Sequence, residues 1–91
     1  MNIIICGAGR VGFSISKQLS AQGHSITVID QSSEFIQQIN DTLDVKGIVG
    51  KATSPSVLEK AGAEDADMII AVTKSDETNM VICQVAYSIF K

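Results

Sequence analysis

Histidine is almost missing from this sequence: His24 is the single example in 91 residues. Chemistry that rests on imidazole, such as a Ser/His/Asp arrangement or proton transfer beside a redox cofactor, therefore has one candidate. That candidate stands in "AQGHSITV", in a turn that feeds the start of a strand, so it reads as a surface turn residue. Cysteine is scarce too. Cys6 and Cys83 are far apart, form no CxxC and have no metal-ligand spacing, which excludes a zinc or redox-motif reading. Both fall in apolar segments and are expected to be buried free thiols, a usage suited to a reducing cytosol. Basic residues are outnumbered, with Lys+Arg 7 against Asp+Glu 10 and a net charge of −3. A nucleic-acid partner, which needs a basic surface for its phosphates, is excluded on that ground. No apolar run is long enough to cross a bilayer, so no direct membrane insertion is expected. "MNIIIC" also lacks the basic start and apolar length of a signal peptide. Aromatics are only 4% of the chain, so the core must be aliphatic. Tyr87 sits among apolar neighbours in the last helix and reads as packing. Asp76 and Glu77 stand together at a helix start, where they complement the dipole.

What is present is aliphatic and ordered. Hydrophobic residues make up 45%, enough for the core of one small domain, though a chain this short is marginal as a monomer. "NIIIC" is a continuous apolar run ending in glycine, the mark of a strand buried on both faces. Val11, Ile15 and Leu19 follow at helical spacing, and Gly23 closes that segment. "SITVID" is a β-branched second strand. In "SSEFIQQINDTL", Phe35, Ile36, Ile39 and Leu43 share a helical face, with Ser32 or Ser33 as cap and Glu34 at the positive end. "KGIVG" is a third strand. In "TSPSVLEKAG", Ser54 is placed to cap, Pro55 takes the first helical position, and Gly62 ends the helix. "DMIIAV" is a fourth strand, and "SDETNMVICQVAYSIF" a fourth helix starting at Ser75 or Asp76. Four strands alternating with four helices predict an α/β fold with a parallel, Rossmann-like sheet and right-handed crossovers. The last helix is apolar on more than one face, through Val81, Val85 and Ile89 and through Ile82, Ala86 and Phe90. A doubly wound domain has six strands. Residues 1–91 are accordingly expected to be a truncated lobe of a longer protein, or to be covered by a second copy on that helix.

The chemistry-bearing motif is "CGAGRVG", with Gly7, Gly9 and Gly12 in the spacing of a dinucleotide-binding turn between a strand and a helix. Gly7 permits the tight turn, Gly9 a close approach of a pyrophosphate, and Gly12 the packing of helix on strand. Free N–H groups and the dipole at the helix start favour phosphate. Asp30 ends the second strand, 18 positions beyond Gly12. It is placed either to accept hydrogen bonds from both hydroxyls of an adenosine ribose, which favours NAD or ATP/ADP over NADP, or to cap the next helix. Arg10, the one arginine, either reaches a terminal phosphate or points to solvent. Ligands of open α/β sheets lie outside the carboxyl ends of the strands. Gly50, Lys51, Ala52 and Thr53 after the third strand, and Val72, Thr73 and Lys74 after the fourth, belong to that wall. Lys74 also fits a solvated surface charge.

"MNIIICGAGRVG", "ITVID" and above all "AVTKSDETNM" strongly resemble the amino-terminal RCK (KTN) domain of regulators of bacterial Trk-type potassium uptake systems, over essentially the whole chain. The resemblance implies a Rossmann-like fold that binds NAD(H) or ATP/ADP as effector rather than reactant. It implies that Gly7, Ala8, Gly9, Arg10, Val11 and Gly12 hold phosphates, and that Asp30, with Gln31 beside it, holds ribose. It also implies that Lys51, Ala52, Thr53, Val72, Thr73 and Lys74 line the pocket. Lys51 departs from the family, whose members carry acidic residues or histidine there. The implied partners are a membrane potassium-transporter subunit and further copies of the chain, paired or in a ring on the cytoplasmic face of the inner membrane. The competing expectation is the cofactor half of an NAD-dependent dehydrogenase, whose acid or base would lie in another domain.

Overall fold

The computed structural model describes residues 1–90. The elements run β1 (Asn2–Cys6), α1 (Arg10–Ala21), β2 (Ser25–Asp30), α2 (Ser33–Thr42), β3 (Lys46–Val49), α3 (Pro55–Lys60), a 3-10 turn (Ala63–Asp65), β4 (Met68–Ala71) and α4 (Asp76–Phe90). The four strands form one parallel sheet in the order β3-β2-β1-β4. The chain winds outward from β1 to β3, then returns across the sheet to place β4 on the other side of β1. The order reverses there, so the carboxyl ends of β1 and β4 flank a crevice.

The alternation of β1 divides the core in two, because successive side chains point to opposite faces. Ile3 and Ile5 join Ile26, Val28, Ile36 and Ile39 under α1 and α2. Ile4 and Cys6 join Ile29, Leu58, Ile82 and Ala86 under α3 and α4. Each fully buried isoleucine contributes roughly 1.5–3 kcal/mol from apolar area removed from water. The double coverage explains why β1 is apolar throughout.

Local signals account for most helix ends. The Ser32 hydroxyl accepts from Phe35 N–H at 3.2 Å and caps α2, and Ser75 Oγ accepts from Thr78 N–H at 3.1 Å at the start of α4. Gly62, at φ +87°, follows the end of α3. The structure corrects five expectations. The Ser54 hydroxyl does not cap α3; it lies 3.0 Å from the Ser56 hydroxyl. α1 brings the small residues Gly12 and Ser16 closest to the sheet; Ile15 and Leu19 of its aliphatic stripe pack against the core beside them, while Val11 is 57% exposed. α4 meets the core through Ile82 and Ala86, which leaves Cys83 on an outer flank, exposed, while Cys6 is buried. Val85 packs partly against the core. Val81 and Ile89 of the same stripe are exposed, and Met80 and Tyr87 extend that uncovered side, so Tyr87 does not pack as expected.

Candidate functional site

A cleft of about 370 Å³ opens at the carboxyl ends of the strands, within the range of small-ligand sites. Gly7, Gly9, Asp30, Gln31, Lys51, Ala52, Thr53, Val72, Thr73 and Lys74 all line it. Ala8 is buried beside it, and Arg10, Val11 and Gly12 do not line it. Arg10 is exposed at the first position of α1, and Gly12 faces the sheet. Gly50, Ser75, Thr78 and Phe35 complete the rim, with buried Ile29 and Ile82 on the inner side.

The glycine turn is shaped by backbone contacts. Gly7 has φ +124°, and a Cβ there would lie 2.8 Å from the Val72 carbonyl oxygen. A Cβ on Gly12 would lie 1.8 Å from the Gly7 carbonyl oxygen. The turn is thus wedged between its own helix and the end of β4. At Gly9, by contrast, the nearest atom to an added Cβ is Phe35 Cε2 at 4.0 Å, so that face of the loop is open to the cleft. Gly9 is the amino-terminal boundary residue of α1, and no side chain caps this helix or places an acid in its first turn. Its first N–H groups and the positive end of its dipole are left for an anion.

Asp30 organises the opposite wall. Its Oδ2 accepts from Ala8 N–H at 2.8 Å, and its Oδ1 accepts from Ser32 N–H at 2.7 Å. Its carbonyl oxygen accepts from Gly50 N–H at 2.9 Å. One residue therefore ties the glycine turn, the start of α2 and the end of β3 together. The cap of α2 is Ser32, so Asp30 sits ahead of the helix and keeps further lone pairs for hydroxyl donors. Lys51 and Lys74 are the other charged residues that line the cleft. Its charge is positive on balance.

On the β4 side, Thr73 N–H and Thr73 Oγ1 both donate to Asn79 Oδ1, at 2.8 and 2.6 Å. Phe35 and Asn79 were not singled out by sequence reasoning. Phe35 shares the helical period of the core residues Ile36 and Ile39, yet stands at the first turn of α2, where the helix projects past the sheet into the cleft. Asn79 lies in the distinctive "AVTKSDETNM", but its partner becomes visible only once the turn is folded.

His24 lies at the amino end of the strands, away from the cleft, with Nδ1 3.2 Å from the amino group of Met1. Tyr87 is exposed on α4 and away from the cleft. Among the described residues no cluster of His, Cys, Asp or Glu could hold a metal ion. Burial pushes the Cys6 thiol up to about 12, with proximity to Cys83 adding to the effect.

A parallel sheet whose order reverses beside a glycine turn, with an acid closing the neighbouring strand, defines a Rossmann-like domain. The description "TrkA-N domain" matches residues 3–91. The chain belongs to the TrkA-N domain family. It is 50% identical over 90 residues to the Trk system potassium uptake protein TrkA of Azorhizobium caulinodans, covering 99% of this chain and 20% of that protein. Among solved structures it is similar to the Kef CTD of Shewanella denitrificans in its AMP-bound form, with TM-score 0.84 and 28% identity over 99% of this chain and 54% of that one. An NAD(P)-binding domain of an exopolyphosphatase-related protein from Archaeoglobus fulgidus shares the fold, with TM-score 0.84 and 22% identity, over 96% of this chain and 65% of that one. The chain spans about a fifth of the length of the TrkA relatives it matches.

Proposed function

We propose that the chain is a nucleotide-sensing regulatory domain of a potassium transport system. NAD(H), or alternatively ATP or ADP, binds in the cleft as an effector, and the bound state is passed to a membrane potassium-transporter subunit. The observation that carries this reading is the uncapped start of α1 facing the cleft, with Asp30 across from it. Phosphates suit the helix start, and ribose hydroxyls suit the free lone pairs of the carboxylate. Arg10 at the first position of α1 has the wrong sign for its own helix dipole and the right sign for an incoming polyphosphate. The names of the relatives support the transport role.

We read the cleft as a place of binding without turnover. The histidine and the tyrosine, two of the side chains suited to proton transfer, stand away from it, and we read the cleft lysines, Lys51 and Lys74, as charges for phosphate. An effector shifts a conformational equilibrium only by its differential affinity for two states. The second state is an arrangement of lobes or copies, and the exposed apolar side of α4 is the surface through which copies would pair. No helix among the described residues is long and apolar enough to cross a membrane. The proposed location is peripheral, on the cytoplasmic face of the inner membrane.

The test is calorimetric titration of NAD, NADH, ADP and ATP on one preparation. At least one should bind, none should turn over, and Asp30→Ala should weaken all those that bind by about tenfold or more, the worth of hydrogen bonds to a charged acceptor. Steady oxidation of NADH with a small substrate would overturn the regulatory reading.

A further inference from the structure

We propose that Asn79, which does not line the cleft, is a positioning residue. It fixes the β4 wall of the ligand site by holding Thr73, and its hold matters for ligands long enough to cross from β2 to β4. The inference rests on the nucleotide reading above and adds to it a residue and a ligand class.

Asn79 is the fourth residue of α4 and half-buried. Its Oδ1 accepts from Thr73 N–H at 2.8 Å and from Thr73 Oγ1–H at 2.6 Å, and its Nδ2 donates to the Thr73 carbonyl oxygen at 3.3 Å. One carboxamide thereby engages every polar group of Thr73. A donor and an acceptor at fixed places on Thr73 leave only one orientation of the amide. The Thr73 hydroxyl also accepts from Ser75 N–H at 3.3 Å, which ties the turn to the start of α4. The residue being held is a cleft residue, and its backbone rests on the glycine turn. A Cβ on Gly7 would lie 2.8 Å from Val72 O and 3.2 Å from Thr73 N. The glycine turn backs the Val72–Thr73 peptide, and the Asn79 carboxamide holds the polar groups of Thr73 itself.

Strand order decides which ligands would notice. Asp30 ends β2, the glycine turn follows β1, and Thr73 follows β4, on the far side of β1 from β2. A ligand with its ribose on Asp30 places its first phosphate at the glycine turn. Only what lies beyond that phosphate reaches Thr73. A mononucleotide such as AMP ends before the β4 wall, whereas a dinucleotide such as NADH continues across it. A residue that only stabilised α4 would treat the two ligands alike.

The experiment is calorimetric titration of NADH and AMP on the native chain and on Asn79→Ala, Thr73→Val and the double variant. Asn79→Ala should raise the NADH Kd about tenfold, in the range typical of residues coupled within one network, and change the AMP Kd less than about twofold. The double variant should bind NADH no worse than Asn79→Ala within about twofold, since the two side chains act as one unit. Should Asn79→Ala fail to fold, Thr73→Val carries the test. It exchanges only the hydroxyl for a methyl group and should cost NADH, but not AMP, about threefold. Equal losses for both ligands, or no loss for either in a folded variant, would overturn the assignment. If the native chain binds none of NAD, NADH, ADP, ATP and AMP, the nucleotide reading fails first and takes this assignment with it; if it binds a mononucleotide but not NADH, the nucleotide reading stands and this assignment is overturned.

Discussion

Replacing Gly12 by alanine adds one methyl group where the fold has no room for it. The new Cβ would lie 1.8 Å from the Gly7 carbonyl oxygen and 2.7 Å from its carbon, short of ordinary contact at 3.4 Å by about 1.6 Å. The atoms it meets are backbone, in a turn pinned on its other side by Val72, so α1 must move off the sheet. A gap of even 0.5–1 Å forfeits about a quarter to a half of the dispersion energy at a contact. Phe13, Ile15 and Leu19 all pack against the core from this helix. Overpacking of this kind costs about 1–3 kcal/mol. Lost contacts add roughly 2 kcal/mol for three partly buried side chains, and the better helix propensity of alanine returns about 1 kcal/mol. The net expectation is a loss of about 2–4 kcal/mol, from a total on the order of 5–14 kcal/mol for a chain of this size. Urea unfolding followed by far-UV circular dichroism should show a midpoint lower by about 2 M with the slope unchanged. Gly23→Ala is the control. Its Cβ meets nothing within 4 Å, and only its φ of +89° is strained, at a cost of about 1–2 kcal/mol. A Gly12→Ala midpoint equal to the native one, or no worse than that of Gly23→Ala, would refute the steric reasoning.

Gly9→Ala separates binding from folding. Its φ of −73° suits alanine and the nearest neighbour is 4.0 Å away, so the urea midpoint should stay within about 0.5 kcal/mol equivalents, while nucleotide affinity measured by calorimetry falls at least about tenfold if phosphates approach that face. Alkylation counted by mass spectrometry should label Cys83 alone in the native chain at pH 8 and both thiols in denaturant, because Cys6 is buried and held protonated to about 12. The unfolded thiol ionises near 9.0, so the unfolded chain releases that proton first. Stability supplied by Cys6 should therefore be intact below pH 9 and fall as pH rises toward 12, and the native advantage over Cys6→Ala in urea midpoints should shrink in that window. Tyr87→Glu, on the exposed side of α4, should lower the mass seen by light scattering if copies pair there, without loss of helical signal. Val85→Glu should instead unfold the chain, because Val85 packs partly against the core.

The strands were the most legible part of the sequence. β1 announces itself by an unbroken aliphatic run and β2 by its richness in β-branched residues, and the coverage of β1 on both faces follows from its pattern. Helix starts were legible where a side chain caps in the ordinary way, as at Ser32 and Ser75, and misleading at Ser54, whose hydroxyl found Ser56 instead. Periodicity marked α1 as a helix and Ile15 and Leu19 as core-facing, but not that Val11 is exposed or which residues lie closest to the sheet. Val11, Ile15 and Leu19 outrank Gly12 and Ser16 in hydrophobicity, yet closeness of approach, not hydrophobicity, decided which face meets the sheet. The same blindness hid Gly47, which reads as a weak point in a strand. A Cβ there would lie 2.7 Å from Ile36 Cγ2 and 2.8 Å from Asn40 Oδ1, so its bareness seats α2. In the cleft, spacing was enough to pick out Gly7, Gly9 and Asp30 for attention. It could not show that Asp30 joins three segments, or that Asn79 reaches back six residues to Thr73, because both depend on turns whose paths are set by the fold.

The contact between Gly7 and the carbonyl of Val72 divides the cleft into parts of different evolutionary latitude. The seam itself runs backbone to backbone and has no side chain of its own to exchange, and the Asn79 and Asp30 side chains back it. Lys51, Lys74, Gln31 and Phe35 hang from the rim, and their own side chains make no hydrogen bond to the turns among the described residues. Substitutions at these four positions can retune charge and shape toward a different anionic ligand while the seam keeps its form. Redesign of specificity should begin at the rim and leave the seam alone.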